Sequence, residues 1–321
     1  MFLRKKSAFK LLYASDLHGA ERCFLKFVNA AKFYDAQALV LGGDLTGKAV
    51  VPIVHEANRW HASFLNRAYD LATEAEVEEL EKAIRFGGSY PYRTEPEEVR
   101  RLDSEPDYLK VIFDQLMRAA VERWMDIASE RLAHSEVKMY VIAGNDDEFY
   151  VDDALRKNGF AVFNDEAAVD IGPCLMIGSS YANPTPWLSP RELPEEDLYL
   201  KLRGLASRLD QAKPAIFNFH VPPFQSGLDN APEVKADLSY QLVGGQPHMV
   251  PVGSTAVRRV IEEMQPVLGL HGHIHESRAV AKIGRSVVMN PGSRYSEGVL
   301  DGALVSLGED GQVQSYQLVA G

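Results

Sequence analysis

Short apolar runs, each ending abruptly in polar residues, set the rhythm of this 321-residue chain. The runs at 9–14, 37–41, 138–143, 175–179, 215–219 and 267–270 have the length and composition of strands. Helical spacing separates several of them. Phe24, Phe27, Val28 and Ala31 share one helix face after the first run, 152–157 suits a short helix and 195–209 a longer one. Ser254 reads as the cap of a helix that runs to Met264. Strand–helix–strand alternation of this kind predicts an α/β fold with parallel strands. The final runs, at 280–283, 287–290, 303–307 and 313–318, read as consecutive antiparallel strands joined by turns. The chain shows no internal repeat and no low-complexity segment.

Residues 48–135 break this rhythm. The stretch 77–85 is charged and helix-prone, and Gly87-Gly88-Ser89-Tyr90-Pro91 ends it. Leu109, Ile112, Phe113, Leu116, Ala120, Trp124 and Ile127 then form a long apolar stripe. The expectation is a helical insertion, a cap or interaction element, within a single domain spanning 1–321. Its stripe could face a second copy, but most amphipathic helices bury their stripe within their own domain. The Gly- and Pro-rich residues 224–253 are expected to be a long surface loop.

Composition is that of an ordinary soluble globular protein. A formal net charge of −11 disfavours general attraction to nucleic acid or to anionic membranes. No basic stripe suggests a nuclease. The two cysteines, Cys23 and Cys174, are far apart and lack metal-ligand spacing, so both read as buried thiols in a reducing cytoplasm. Arg4, Lys5 and Lys6 precede an apolar stretch that Asp16 and His18 interrupt, which reads as a strand and not as a signal peptide. No apolar run is long enough to span a bilayer.

The candidate chemistry sits where the apolar runs end. The run 267–270 gives way to His271-Gly272-His273-Ile274-His275, three imidazoles on a strand-to-loop turn. Taken alone, such histidines could hold only hydrogen bonds. Asp16 with His18, Asp44, Asn145 and His220 occupy four other strand ends, and the C-terminal edge of a parallel sheet would gather all five sets. Asp, Asn and His suit borderline and hard divalent ions, and seven ligands exceed what one ion needs. His55, His61 and His134 lie in the insertion without metal spacing and read as structural or surface residues.

Asp16-Leu17-His18, Gly43-Asp44, Gly144-Asn145, His220 and Gly272-His273-Ile274-His275, in this order, strongly resemble the motifs of the calcineurin-like metallophosphoesterase family. The resemblance covers 9–47 and 138 to the C-terminus but not the insertion. It implies two packed β-sheets flanked by helices, a four-layer α/β/β/α sandwich, here with a helical insertion. It also implies two divalent metal ions, with Mn, Fe, Zn and Mg all compatible. One would take Asp16, His18 and His275; the other would take Asn145, His220 and His273; Asp44 would bridge them. Such a pair, about 3.5–4 Å apart, activates a bridging hydroxide for in-line attack on a phosphomonoester or phosphodiester. With only two carboxylates among seven ligands, the loaded site is net positive and attracts a small phosphorylated substrate.

One position departs from the family pattern. Where the family places a histidine after Gly-Asn, thought to assist the leaving group, this chain has Asp146, with Asp147 at the acidic position that follows. A carboxylic acid is ordinarily ionised near neutral pH and is then a poor proton donor. Three readings follow. The leaving group needs little protonation; or another residue, His248 or His271, supplies the proton; or the protein binds phosphate compounds without efficient turnover. Asn290-Pro291-Gly292-Ser293 reads as a turn close to the edge of the site.

Overall fold

The computed structural model describes residues 8–157, 159–210 and 212–321; Arg4, Lys5 and Lys6 lie outside them. Two six-stranded sheets dominate a mixed α/β arrangement flanked by helices. In the first, the strands run in the order Val313–Ala320, Asp301–Leu307, Phe9–Ala14, Ala38–Gly42, Lys138–Ile142 and Val162–Phe163. Phe9–Ala14, Ala38–Gly42 and Lys138–Ile142 pair in parallel, so all three end at one edge. In the second sheet Cys174–Ser179, Ala215–Phe219, Leu268–Leu270 and Ser286–Asn290 are parallel neighbours. Their edges are closed by Ala168–Ile171 and Ala279–Ile283, both antiparallel.

Burial explains why these runs are apolar throughout. Leu11, Tyr13, Val40 and Tyr140 of the first sheet share a buried cluster with Met176, Ile216, Leu268 and Met289 of the second. The alternate residues Leu12, Leu39 and Val141 pack instead with Phe24, Phe27 and Val28 of helix Glu21–Tyr34. On the second sheet, Phe217 and Phe219 pack with Leu198 and Leu202 of helix Glu195–Ala206 and Val257 and Val260 of helix Thr255–Met264. Strands covered on both faces lose the polar alternation of a solvated sheet. Ser254 caps the Thr255–Met264 helix, its side chain accepting from the Val257 amide, as expected.

Three expectations need correction. Residues 48–135 are not wholly helical. Val50–Glu56, Arg59–Phe64, Arg67–Leu71 and Tyr90–Thr94 form a four-stranded sheet, and helices Glu74–Phe86, Pro96–Ser104 and Pro106–Leu132 accompany it. These strands are only partly buried and carry charged residues among the apolar ones, and Pro52 and Pro91 argue against strands by propensity. The last four strands are not one meander: Ala279–Ile283 pairs with Ser286–Asn290 in one sheet, and Asp301–Leu307 with Val313–Ala320 in the other. Residues 224–253 carry two small ladders, Asn230–Pro232 with Met249–Pro251 and Leu242–Val243 with Gln246–Pro247.

The stripe on Pro106–Leu132 does bury its C-terminal half inside the chain: Trp124 stacks on Phe24 at 4.5 Å, beside Val121, Met125 and Ala128. Leu109, at its other end, is 39% exposed. Cys23 and Cys174 are free, buried thiols, and desolvation pushes them up to about 11 and about 12. No helix among the described residues is long and apolar enough to cross a membrane.

Candidate metal centre

Five strand ends from the two sheets meet here. The loops after Phe9–Ala14 and Ala38–Gly42 are zipped together by backbone bonds from Asp16 N to Gly43 O and from His18 N to Asp44 O, both 2.9 Å. Asp16, His18, Asp44 and His273 all have φ between 42° and 67°, the left-handed region that side chains usually avoid. Four such residues in one place mark backbone strain held by surrounding contacts. Two glycines permit the approach. A Cβ on Gly144 would lie 2.0 Å from Asp44 Oδ1, and one on Gly272 would lie 2.3 Å from Asp16 Oδ2.

The ligand atoms of Asp16, His18 and His275 lie within 4.8 Å of one another, as do those of Asp44, His220 and His273. His275 Nε2 is 3.5 Å from Asp16 Oδ1 and 3.1 Å from His18 Nε2. His220 Nε2 is 3.4 Å from Asp44 Oδ2 and 3.9 Å from Asp16 Oδ1, so the two clusters abut. Asn145 follows Gly144 and precedes Asp146, whose amide donates to Asp44 Oδ1 at 3.0 Å. Asp16 in turn accepts from the His273 amide at 3.0 Å.

The donor set fits divalent ions. His220 Nδ1 lies 2.8 Å from the Gly42 carbonyl, which fixes its hydrogen there and turns a lone pair on Nε2 inward. That Nε2 and Asn145 Oδ1 are buried without a hydrogen-bond partner. Orphaned acceptors beside two buried carboxylates are costly in a dry interior and are relieved by a cation.

Without a cation, protons balance the charge. For His220, burial favours the neutral ring, but Asp44 and Asp16 outweigh it and raise the pKa to about 10. Burial lowers His273 to about 4 and also lowers His18. Burial would raise Asp44, yet the surrounding imidazoles hold it far below the carboxylate range.

Asp146 lies within reach of the same centre, its carboxylate within 4.8 Å of ligand atoms of His18 and Asp44. Lys48 Nζ contacts its Oδ2, and Ser189 Oγ donates to its Oδ1 at 2.7 Å. Burial pulls the Lys48 ammonium down, but the Asp146 contact more than offsets this and raises it. Asp147 is fully buried and accepts from Leu45 N, Thr46 N, Thr46 Oγ1 and Gly144 N, pinning two ligand loops to each other. Arg191, also buried, donates from Nε to the Asp147 carbonyl at 2.7 Å.

Neither alternative histidine joins these clusters. His248 is exposed, with Nδ1 2.7 Å from Glu233 on the ladder-bearing loop. His271 Nδ1 faces the Phe219 carbonyl at 2.8 Å, and burial lowers the ring to about 4. A Cβ on Gly269 would lie 2.8 Å from its Nε2, which therefore points back into the sheet. The 290–293 turn does border the centre. Ser293 Oγ donates to the Asp16 carbonyl at 2.7 Å, and Asn290 Nδ2 donates to Gly272 O and Ile274 O. Tyr295, just beyond, lays its ring 4.8 Å from that of His18. Motif spacing offered no sign of Lys48, Ser189 or Tyr295, which reach the centre only through loop packing.

No family model matches the chain. TT1561 of Thermus thermophilus, a solved crystal structure, superposes with a TM-score of 0.52 at 16% identity, covering 98% of this chain and 99% of that one. A structure described as a novel archaeal phosphodiesterase covers 97% of this chain and 99% of its own, but at a TM-score of 0.40 and 9% identity it is too distant to bear on chemistry. The uncharacterized protein MJ1162 of Methanocaldococcus jannaschii is 32% identical over 166 residues, which are 50% of this chain and 68% of that protein. On that extended identity, this chain belongs to the same family as MJ1162.

Proposed function

We propose that this chain is a calcineurin-like metallophosphoesterase that hydrolyses a small phosphomonoester or phosphodiester. One observation carries the reading: acidic and imidazole ligands from separate strand ends converge in two abutting clusters, with inward-facing acceptors left unpaired. In this reading the chain is a single four-layer domain acting in the cytoplasm. Asp16, His18 and His275 would hold one divalent ion, Asn145, His220 and His273 a second, and Asp44 would be shared. Bound there, two such ions supply Lewis acidity that lowers the pKa of water and neutralises phosphoryl oxygens.

The chain's own groups prepare that chemistry. The Gly42 carbonyl orients His220, the His273 amide orients Asp16, and Asp147 fixes the Asp44 loop against the Asn145 loop. With two carboxylates among seven ligands, the site favours an anionic substrate despite the protein's net charge of −11.

A second reading, metal-dependent binding without turnover, is favoured by Asp146, which stands where the family histidine would be and is already engaged by Lys48 and Ser189. Hydrolysis of an activated aryl phosphodiester with added Mn, and its loss on chelation, tests the enzyme reading. A protein carrying both ions but inert toward aryl mono- and diesters would leave only the binding reading.

A further inference from the structure

We propose that Lys48 is a catalytic residue whose ammonium, positioned by Asp146, donates a hydrogen bond to the departing oxygen of the phosphate ester. The inference rests on the phosphoesterase reading. Its ground is the Lys48–Asp146–Ser189 chain, in which one carboxylate has a hydroxyl on Oδ1 and an ammonium on Oδ2. The same carboxylate lies within 4.8 Å of ligand atoms of His18 and Asp44, so the ammonium stands one contact from the centre. The Lys48 side chain is nonetheless 63% exposed, hence open to a ligand entering from solvent. A surface ion pair of this exposure does little for stability, which leaves its placement as the feature to explain.

The loop that carries Lys48 is tied down beside it. Its neighbour Gly47 donates its amide to Tyr90 Oη at 2.7 Å, tying the loop to the 50–94 sheet. Across the centre, Tyr295 lies over His18 and near His275. Where the family pattern has a histidine, this chain has a carboxylate that cannot serve as a cation itself but holds one from the adjoining loop. Lys48 has three N–H groups: one holds Asp146, and two remain for substrate oxygen.

The step balances as an ordinary hydrolysis. The oxygen of water bonds to phosphorus, and the ester P–O bond breaks with its electron pair staying on the departing oxygen. The proton that water gives up accounts for the hydrogen on the released alcohol. Lys48 neutralises the charge growing on that oxygen and remains protonated throughout.

The test uses the full chain loaded with Mn, comparing wild type with Lys48→Met, Lys48→Arg and Asp146→Asn. Metal content is read by elemental analysis, inorganic phosphate binding by calorimetry, and kcat/KM across aryl and alkyl esters of graded leaving-group pKa. Removing one oriented donor at developing charge typically costs about 10²–10³-fold. Lys48→Met should keep its metal, bind phosphate on the order of tenfold more weakly, and lose about 10²-fold on poor leaving groups with little loss on good ones. Lys48→Arg should recover much of the slope. Asp146→Asn should fall between, since the ammonium loses its anchor but keeps its charge. Unchanged leaving-group slope and phosphate affinity in metal-loaded Lys48→Met would overturn the proposal, while active wild type would keep the phosphoesterase reading. If wild type turns over no ester, that reading fails, and Lys48→Met binding phosphate as tightly as wild type would then overturn the role of Lys48 as well.

Discussion

The centre and the 50–94 sheet use the same backbone conformation for opposite ends. In the sheet, Ala57 with Asn58 and Leu65 with Asn66 take positive φ at two-residue hairpin turns, where each pair simply reverses the chain. At the centre, Asp16, His18, Asp44 and His273 take it to aim side chains at one point. The turns are local, and their strain is met by asparagine and by adjacent ladder bonds. The centre is non-local. Its strained residues are held by partners on distant segments, such as His273 N on Asp16 and Asp146 N on Asp44. The two regions also have separate cores: Val51, Ile53, Phe64, Val77, Leu80 and Ile84 form a cluster apart from those of the large sheets. Strain placed in a turn is a folding device, whereas strain gathered where polar side chains converge is of the kind that functional sites store.

Breaking the centre should give the largest effect. Asp44→Asn removes a charge that faces His18 and His220, at 3.7 and 3.4 Å. We expect activity to fall by more than about 10³-fold together with metal content, with far-UV circular dichroism unchanged. Full metal loading in this variant would contradict the shared-ligand assignment. His275→Ala should chiefly deplete the cluster it forms with Asp16 and His18.

Gly144→Ala attacks the close approach itself. Its Cβ would meet Asp44 Oδ1 at 2.0 Å and Asp44 N at 2.2 Å, so we expect roughly 3 kcal/mol of destabilisation and disturbed metal uptake. Asn66→Ala, at a left-handed turn of the smaller sheet, should cost only about 1 kcal/mol and leave metal uptake untouched. Chemical denaturation of both variants, each with a metal titration, would measure the contrast. Equal costs would erase the distinction between the two uses of strain.

Protonation should separate the regions further. In the metal-free protein His220 is raised to about 10 against an ordinary value of 6.5. A raised folded-state pKa contributes stability that is full below about 6.5 and is lost as pH rises through about 10. Metal ligation needs the neutral ring, so affinity should rise with pH up to about 10 and binding below that should release protons. Calorimetric titration in two buffers of different ionisation enthalpy would detect that release. Its absence near neutral pH would mean that His220 is already neutral.

The smallest effect should lie at the join. Tyr90→Phe strips the acceptor from the Gly47 amide, costing about 1 kcal/mol. It should also lower kcat for poor leaving groups more than for good ones if that bond helps to place Lys48. Thermal unfolding and the same ester series would show both. A uniform loss across esters would confine Tyr90 to a structural part.

Sequence alone determined six of the parallel strands, those ending at 14, 42, 142, 179, 219 and 270, because a strand buried on both faces must be apolar along its whole length and so stands out. It also determined which polar residues end those strands, and the order of motifs that carries the family resemblance. Tertiary structure decided the rest. The strands within 50–94 were illegible because a half-exposed sheet needs few apolar residues, and its alternation dissolves among charges and prolines. Whether four closing strands make one sheet or two is set by pairing with distant partners, Ser286–Asn290 with Leu268–Leu270 and Asp301–Leu307 with Phe9–Ala14. The same reason hid Lys48, Ser189 and Tyr295. A side chain's distance from a centre built by segments hundreds of residues apart is fixed by loop packing, and no local pattern encodes it.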